Sequence, residues 1–487
     1  MSSSRLSVLA VLAVLFILSA PLSAAPPITQ IPSGELVDRV TAKAFPGQSY
    51  ALYLPASYTP DRAYPALFLF DAREHGAGAA KRYVAAAETY GWILVSSNNS
   101  KSDEAMDPNL AAMKAMHDDA LGRFSIDRKR IYAGGYSGGA RAACLMAIVY
   151  PEEVAGVLGA SGGFPFDRPP SKATTFAFFG SVGEKDFNWY ELHDLDRTLA
   201  ELNLPHRLAT FDDGHQWPPE AVATRSIEWL ELRAMKTGLR EKDPALIKKW
   251  LDRRTAEAQA LEAGPPPAGK ADGYLAWRAL AEDFTGLADA ADLGDTAARV
   301  KLLGADKAVQ AELAARVKRD KRDLETIERA HQALASVAPE DASGSLGLLL
   351  AKLRVKDLQK KAAGTDRAES LSAERLLAQV GVQTGFYLPR ALIEKKDWAR
   401  AALFLDVATT IEPKDAEAWY MLAQARAQGG NHKRAIEALA QVVSLGFADR
   451  AAIEGDPLLA PLRNDPGYRA AIEAIDGGSM HPSGSSG

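Results

Sequence analysis

The sequence predicts an α/β fold with a doubly wound, mainly parallel sheet, followed by an all-α domain that contains helical repeats. Three observations support this prediction. Short β-rich runs alternate with helical stretches between residues 35 and 238, strand patterns end near Lys242, and a 34-residue repeat occupies the last part of the chain. Because parallel strands are joined by crossover connections that are usually helices, this alternation indicates a sheet covered by helices on both faces.

Eight short segments rich in β-branched and aromatic residues are the strand candidates. They are residues 36–43, 50–54, 66–70, 92–97, 130–136, 154–160, 174–179 and 206–211. The helical patterns between them are clearest at residues 78–90, 108–124 and 221–235. The first strands follow one another with no helix between them, so we expect the sheet to begin with antiparallel strands.

The length and charge of the chain limit its organisation and its partners. At 487 residues it is too long for one ordinary domain, and its formal net charge of −5 provides no broad basic surface for nucleic acid. The expected divisions are a signal peptide at 1–24, an α/β domain at 28–242, a helical region at 243–385, repeats at 386–475 and a disordered tail at 476–487.

The first residues have the pattern of a cleavable secretory signal. Arg5 precedes an apolar run over residues 8–18, and small residues end at Ala24. The run is shorter than the roughly 20 residues that cross a bilayer, so we expect no membrane span in the mature chain. The sequence therefore predicts a secreted or periplasmic protein. Its only cysteine, Cys144, leaves no internal disulfide and is interpreted as a small buried side chain.

The last part of the chain resembles tetratricopeptide repeats. Ala401 and Leu405 recur as Ala435 and Leu439, with Pro413, Trp419, Leu422 and Ala423 at consensus places between them. In such repeats, small residues let paired helices approach closely, and stacked pairs bury faces that one pair cannot bury alone. The stack predicts a surface for a protein partner or for self-association, or else a cap that only stabilises the first domain.

A strand, a glycine-rich turn and a helix follow one another around Ser137. The turn reads Gly135-Tyr136-Ser137-Gly138-Gly139, a Gly-x-Ser-x-Gly pattern. Its glycines permit a sharp turn and close helix packing, which would leave the serine hydroxyl at the top of the sheet near a helix N-terminus. Ser137 is therefore the candidate nucleophile.

A nucleophilic serine needs a base, and after a turn of this kind the acid and then the histidine follow along the chain. His215 follows the last strand candidate and precedes the final helix of the α/β domain, so it is the candidate base. The loop after the 174–179 strand offers Asp186 as the acid that orients the imidazole. Glu184 is the alternative acid, because the register of a loop cannot be read from sequence.

The remaining site candidates surround these three residues. A developing oxyanion needs backbone N–H donors; Gly138 offers one, and Ala72, in the turn after the 66–70 strand, offers the second. Three large rings flank the triad candidates and are interpreted either as the lining of a substrate groove or as ordinary packing. They are Trp189, Tyr190 and Trp217.

Two stretches carry a resemblance to a known family. The run Ser-Ile-Asp-Arg-Lys-Arg-Ile-Tyr over residues 125–132 leads into the turn, and Gly-His-Gln-Trp-Pro over residues 214–218 surrounds the candidate base. Together they resemble the polyhydroxybutyrate depolymerase and feruloyl esterase branch of the α/β-hydrolases, over roughly residues 40–235. The resemblance implies a carboxylester hydrolase with no metal and no organic cofactor, whose nucleophile, acid and base are Ser137, Asp186 and His215.

The turn proposed for the oxyanion departs from that family. Relatives often carry His-Gly where this chain has Asp71-Ala72. A carboxylate at this place would repel a developing oxyanion unless it points away or is paired, for example with Arg73. The departure leaves the second donor and the type of substrate open.

The sequence thus predicts a serine carboxylester hydrolase that acts through an acyl-enzyme intermediate on an ester substrate, with polymeric and aromatic esters among the candidates. The alternative from another class is a non-catalytic binding platform, in which a degenerate hydrolase domain carries partner-recruiting repeats. The altered turn at Asp71 supports that alternative, whereas the intact set of Ser137, Asp186 and His215 argues against it. A peptidase is disfavoured because nothing upstream resembles a propeller or gating domain.

Overall fold

The computed structural model describes residues 31–102, 106–338, 346–446 and 449–478. The predicted signal peptide at 1–24 lies outside the described residues, as does most of the predicted tail at 476–487. The last described helix extends to Gly478. This helix persists because Ile472 and Ile475 are buried in the core. The described residues from Ser33 onward form one compact unit.

The sheet domain, residues 33–242, is built on one eight-stranded sheet. Its strands are β1 (Leu36–Ala42), β2 (Phe45–Tyr53), β3 (Tyr64–Phe70), β4 (Ile93–Ser97), β5 (Ile126–Tyr136), β6 (Val154–Ala160), β7 (Ala177–Gly183) and β8 (His206–Phe211). They lie in the order β1-β2-β4-β3-β5-β6-β7-β8, in which β2 is antiparallel to both of its neighbours and β3 to β8 run parallel. The predicted mainly parallel sheet with an antiparallel start is confirmed.

Helices cover both faces of this sheet. They are α1 (Gly76–Lys81), α2 (Val84–Tyr90), α3 (Met106–Arg123), α4 (Gly138–Val149), α5 (Trp189–Glu201) and α6 (Glu220–Thr237). Successive side chains of a strand point to opposite faces. Leu67 and Leu69 of β3 accordingly share a core cluster with α1, α2 and α6, whereas the ring of Phe68 lies 6.0 Å from that of His117 in α3. Every residue of β3 is buried as a result.

The helical domain, residues 243–478, has no strand in the parts of it that the structure describes. Its helices are α7 (Pro244–Glu262), α8 (Ala268–Phe284), α9 (Gly294–Ala305), α10 (Lys307–Ala335), α11 (Leu346–Lys352), α12 (Val355–Ala362), α13 (Arg367–Val382), α14 (Leu388–Glu394), α15 (Trp398–Ile411), α16 (Ala416–Gln428), α17 (His432–Ser444), α18 (Arg450–Gly455) and α19 (Pro466–Gly478). A π-helical turn, Gln383–Tyr387, joins α13 to α14, and a 3-10 turn, Pro457–Leu462, precedes α19. None of the helices in the described ranges is both long and apolar enough to cross a membrane.

The repeat residues predicted from the sequence form the core of α15 to α17. Ala401, Leu405, Ala435 and Leu439 are fully buried in one cluster. Buried alanines at matching places let the helix axes approach, which is the packing that the 34-residue spacing predicts. Each helix of the stack therefore depends on its neighbour for burial.

The two domains are joined by a buried carboxylate. Asp283, at the end of α8, accepts a hydrogen bond from the Trp229 indole N–H of α6 at 3.0 Å. It also pairs with Arg207 of β8 at 2.7 Å and with Arg254 of α7 at 2.9 Å. Charged groups are buried only when they are paired, so these contacts fix the helical domain against the sheet domain.

Candidate active site

Ser137 stands at the turn between β5 and α4 in a backbone conformation that few residues other than glycine adopt. Its φ is 55° and its ψ is −121°, and such conformations cost a non-glycine residue about 1–3 kcal/mol. Two glycines make room for the turn. A Cβ on Gly135 would lie 2.1 Å from the carbonyl oxygen of Gly139, and a Cβ on Gly139 would lie 2.1 Å from that of Phe70. Backbone packing therefore requires the glycines of the Gly-x-Ser-x-Gly pattern.

The turn lies where the sheet changes direction. Phe70 at the end of β3 is in register with Gly135 of β5. From β3 the chain crosses to β4 on one side, and from β5 it crosses to β6 on the other. In sheets of this kind a crevice opens at the carboxyl ends of the two strands where the crossovers diverge. Ser137 and Asp71 therefore stand on the two sides of this crevice.

The structure brings the three predicted triad residues together. Ser137 Oγ lies 3.0 Å from His215 Nε2, and His215 Nδ1 lies 2.9 Å from Asp186 Oδ1. Asp186 is completely buried, and its Oδ1 also accepts a hydrogen bond from the backbone N–H of Asn188 at 2.7 Å. Its other oxygen, Oδ2, is buried and has no hydrogen-bond partner among the described residues. The imidazole thus links a serine hydroxyl on one side to a buried carboxylate on the other.

Two rings hold the imidazole in place, and sequence reasoning did not single out either of them. Phe187 stacks on His215 with the ring centroids 4.1 Å apart, and Tyr136 lies against it at 4.9 Å. The Tyr136 hydroxyl donates a hydrogen bond to the backbone carbonyl of His215 at 2.7 Å. Burial, together with the nearby Asp186 carboxylate, raises the pKa of Tyr136, so its hydroxyl remains a neutral donor. Both residues are sequence neighbours of triad candidates, which is the one signal that would have found them.

The alternative acid, Glu184, points elsewhere. Its Oε2 lies 2.5 Å from Arg367 of α13 in the helical domain. The loop from residue 184 to residue 188, here called the acid loop, therefore directs Glu184 toward the helical domain and Asp186 toward His215. The two carboxylates therefore have different partners, although only Lys185 separates them in the chain.

The Asp71 carboxylate, which the sequence placed near the oxyanion site, is turned into its own loop. Its Oδ1 accepts hydrogen bonds from the backbone N–H groups of Arg73 at 2.7 Å and His75 at 3.2 Å. Its Oδ2 accepts the indole N–H of Trp217 at 3.0 Å. The carboxylate is paired with backbone and indole donors rather than with the Arg73 guanidinium that the sequence suggested. Both of its oxygens accept hydrogen bonds, and it stabilises the turn that holds Ala72.

The two predicted oxyanion donors are the backbone N–H groups of Gly138 and Ala72. Gly138 begins α4 directly after Ser137, where the first N–H groups of a helix have no intrahelical acceptor. Ala72 follows β3, and the Asp71 carbonyl, which shares a peptide group with the Ala72 N–H, accepts a hydrogen bond from the Ser100 hydroxyl at 2.9 Å, which fixes that peptide. Within the part of the chain that the structure describes, neither N–H donates to another protein group.

The rings predicted as groove lining have packing roles in the structure. Trp217 is only 9% exposed, stacks on Tyr136 at 5.4 Å and donates its indole N–H to Asp71. Tyr190 is 5% exposed, and its hydroxyl lies 3.0 Å from Asp323 of α10. Of the two interpretations of Tyr190, its surroundings in the structure match ordinary packing, because its hydroxyl contacts the helical domain and its ring is buried.

Trp189 also faces the helical domain rather than an open groove. The guanidinium carbon of Arg375 in α13 lies 3.6 Å from the centre of its ring, and His193 stacks on it at 3.8 Å. The ring is half-buried between these two groups. The structure therefore assigns Trp189 to the contact between the domains.

The sheet order, the turn at Ser137 and the acid loop define an α/β-hydrolase fold with a helical domain, which confirms the predicted fold class. A family model described as a tetratricopeptide repeat matches residues 392–453, inside the predicted repeat region. Comparison with curated proteins finds no match for this chain.

Several solved structures are similar to about two fifths of the chain. One is an S-formylglutathione hydrolase from Staphylococcus aureus, 15% identical, covering 38% of this chain and 90% of that one, with a TM-score of 0.32. A second is a ferulic acid esterase, 18% identical, covering 39% and 95% of the two chains, with a TM-score of 0.31. A third is a feruloyl esterase module from Clostridium thermocellum, 13% identical, covering 40% and 85%, with a TM-score of 0.30.

Proposed function

We propose that this chain is a serine hydrolase that cleaves carboxylic esters through an acyl-enzyme intermediate. One observation carries the proposal: a buried carboxylate, an imidazole and a serine hydroxyl lie in line, with contacts of 2.9 Å and 3.0 Å. A base within hydrogen-bond reach of the nucleophile, itself oriented by a third group, is the geometry that activates a serine. The site stands at the crevice where α/β sheets bind their ligands.

The contacts suggest the following steps. Ser137 Oγ attacks the ester carbonyl while His215 Nε2 accepts its proton, and the N–H groups of Gly138 and Ala72 stabilise the oxyanion. Collapse of the tetrahedral intermediate breaks the bond to the alcohol, which takes the proton from His215. A water molecule then loses its proton to His215, attacks the acyl-enzyme, and releases the carboxylic acid with Ser137 restored. Asp186 stabilises the imidazolium in both halves and does not itself become protonated.

A more specific part of the proposal concerns the class of ester that the site cleaves. The sequence resemblance to the polyhydroxybutyrate depolymerase and feruloyl esterase branch favours hydroxyalkanoate and hydroxycinnamate esters as the first substrates to test. The binding-platform alternative rested on Asp71, and that carboxylate is occupied by two backbone N–H groups and the Trp217 indole. No other residue of the site favours that alternative.

We also propose that the protein is exported and that the repeats bind a protein partner or a second copy. The pattern of residues 1–24 supports export, and the stacked helices α15 to α17 support a docking role. Light scattering on the purified mature chain would detect a second copy, and a monomer at all concentrations would leave only a different partner.

The test of the main proposal is labelling with a fluorophosphonate, read by intact mass and peptide mapping. We expect a single adduct on Ser137, because only an activated serine reacts with this probe. Ser137→Ala should take no label, and His215→Ala should react very slowly because it lacks the base. A folded wild-type chain that takes no label would overturn the proposal.

The acid is tested with a matched pair of substitutions. Asp186→Asn should lower the kcat for ester hydrolysis by about 10⁴-fold, because the amide no longer holds the required tautomer. Asp212→Asn is the control, since Asp212 is close to His215 in the chain but forms an exposed ion pair with Lys185 at 3.4 Å. Equal activities of the two variants would contradict the assignment of Asp186.

A further inference from the structure

Helix α13 of the helical domain reaches the acid loop with three side chains. Arg367 forms the ion pair with the Glu184 carboxylate at 2.5 Å. Arg375 Nε donates to the backbone carbonyl of Glu184 at 2.6 Å, and Gln379 Nε2 donates to the backbone carbonyl of Phe187 at 2.6 Å. The two carbonyls belong to residues on either side of Asp186. One helix from the other domain therefore holds both ends of the loop that carries the triad acid.

The spacing of these side chains places them on one face of α13. Residues four apart lie next to each other on a helix surface, so Arg375 and Gln379 point in the same direction. Arg375 is 6% exposed and also packs over the Trp189 ring at 3.6 Å, at the start of α5 directly after the loop. A buried guanidinium held by a carbonyl and a ring has little freedom, because any displacement would leave its charge unpaired.

A buried polar network fixes α13 in the same position. The Ser372 hydroxyl of α13 donates to Asp323 Oδ2 of α10 at 2.6 Å, and the Tyr190 hydroxyl reaches the same oxygen at 3.0 Å. All three side chains are buried. Networks of this kind specify one arrangement, since an unmade hydrogen bond inside a protein is costly. The distance between α13 and α5 is therefore set by contacts on both sides of the acid loop.

The acid loop is also anchored to the sheet domain, because the Glu184 N–H donates to the Phe211 carbonyl at 2.8 Å and Asn188 Nδ2 donates to the Ser161 carbonyl at 2.7 Å. Within the loop, however, the Asp186 carboxylate itself has a single hydrogen bond. One backbone N–H, that of Asn188, donates to Oδ1, while Oδ2 is buried and unpartnered among the described residues. The neighbouring Phe187 ring lies on the His215 imidazole at 4.1 Å. A shift of this loop would move the acid and the ring that packs on the base together.

We propose that Arg375 and Gln379 are positioning residues of the hydrolase site, and that the helical domain completes this site rather than only capping the sheet. The inference rests on the proposed serine hydrolase function. Neither side chain touches the substrate. They act through the backbone of Glu184 and Phe187, which keeps Asp186 and His215 in line with Ser137.

The experiment is the substitution Gln379→Glu in the full chain, with p-nitrophenyl acetate as substrate. The change keeps the shape of the side chain and replaces the N–H donor by a carboxylate that faces the Phe187 carbonyl. Misplacement by about 1 Å from a site remote from the chemistry lowers rates by up to about 10²-fold, so we expect kcat to fall about tenfold. KM should change by less than about twofold, because no substrate contact is removed.

Gln428→Glu is the matched control. Gln428 of α16 is a half-buried glutamine whose Nε2 donates to the Leu458 carbonyl at 2.8 Å, far along the chain from the acid loop. The Gln428→Glu substitution should lower kcat by less than about twofold. It should change the thermal midpoint as much as Gln379→Glu does. Gln379→Met, which removes the donor without adding a charge, replaces Gln379→Glu if that variant does not fold, and should show the same fall in kcat.

The outcomes separate the two proposals. A wild-type chain that takes no fluorophosphonate label overturns the hydrolase function, and this inference with it. A labelled wild type whose kcat is unchanged in Gln379→Glu, or falls equally in Gln428→Glu, overturns the positioning role alone. A rise in KM at constant kcat also overturns it, because that result would place Gln379 in substrate binding. A selective fall in kcat supports it.

Discussion

Replacement of Asp283 by alanine should destabilise the whole chain, since this one carboxylate joins the two domains. Asp283 is 6% exposed and neutralises Arg207 and Arg254, which come from β8 and α7. It also accepts the Trp229 indole N–H. Asp283→Ala would remove the acceptor of Arg254 and of the Trp229 indole N–H, and would leave Arg207 with only the exposed Glu282 carboxylate at 3.1 Å as its ion-pair partner, in a region that water reaches poorly.

The size of the expected stability loss in Asp283→Ala follows from the burial of the arginines that pair with Asp283. The Arg207 and Arg254 side chains are 18% and 12% exposed, and removing one partner of a buried ion pair costs about 3–5 kcal/mol. Asp272→Ala, on the same helix, is the control. Asp272 pairs with Arg316 at 2.6 Å, but the two side chains are 41% and 30% exposed, and such surface pairs contribute about 0–1 kcal/mol.

Urea unfolding followed by tryptophan fluorescence measures the difference, because the eight tryptophans report on unfolding and Trp229 lies at the affected contact. We expect Asp283→Ala to lose at least about 3 kcal/mol of unfolding free energy and Asp272→Ala to lose less than about 1 kcal/mol. Equal losses in the two variants would refute the argument that burial makes the Asp283 contacts strong. The same reasoning predicts that a chain cut at Lys242 folds poorly, since it lacks Asp283 while retaining Arg207 and Trp229.

Two further predictions concern a strained residue and a buried histidine. Ser137→Gly should be about 1 kcal/mol more stable than Ser137→Ala. Glycine relieves the strain of about 1–3 kcal/mol at φ 55°, but the greater flexibility of its unfolded chain offsets part of that gain. Equal thermal midpoints of the two variants would contradict the argument that Ser137 is strained. Burial lowers the pKa of His193 to about 4 from 6.5. The folded state therefore favours the neutral ring, and the stability that depends on it is complete above pH 6.5 and is lost as the pH falls through 4. The unfolding free energy should drop by up to about 3 kcal/mol over this window. The His193→Phe variant cannot titrate at this position, so its unfolding free energy should drop by less. Parallel pH profiles of the two proteins would contradict the assignment to His193.

The sheet could be predicted from sequence because its signals are local. The bounds of β6 and β8 agree with the predicted segments 154–160 and 206–211. The predicted segment 174–179 begins three residues before β7 and ends four residues before its end, since β7 spans Ala177–Gly183. In the structure Gly180 pairs with Gly159 and with Leu208 inside the sheet, and a Cβ on Gly183 would lie 2.2 Å from the Gly214 carbonyl oxygen. The glycines mark a close backbone approach that only the folded chain reveals.

The candidate active site shows the same limit of sequence-based prediction, because contacts that form only in the folded chain decide the roles of some residues. Ser137 and His215 were found from local patterns and chain order, and the structure places them 3.0 Å apart. The choice between Asp186 and Glu184 depends on Arg367, which follows them in the chain by more than 180 residues and attracts Glu184 away from the imidazole. The choice between groove lining and packing for Tyr190 stays open in the sequence for the same reason, because helix α10, which its hydroxyl contacts, lies in the other domain. Contacts between domains leave no periodicity in the sequence on either side.

Helix α13 belongs to both parts of the molecule. Val380 lies in the same buried cluster as Ala401 and Leu405 of the repeats, whereas Gln379, one residue earlier, contacts the acid loop. A helix packed on one face against the repeats and on another against the loop transmits a displacement of one to the other, because packed interiors are nearly incompressible. Under the proposed function, a protein bound to α15 to α17 would alter catalysis if it displaced α13. The contacts of Asp283 and Asp323 also join the two domains, but the distance from α13 to Phe187 is the one that links the repeats to the acid loop.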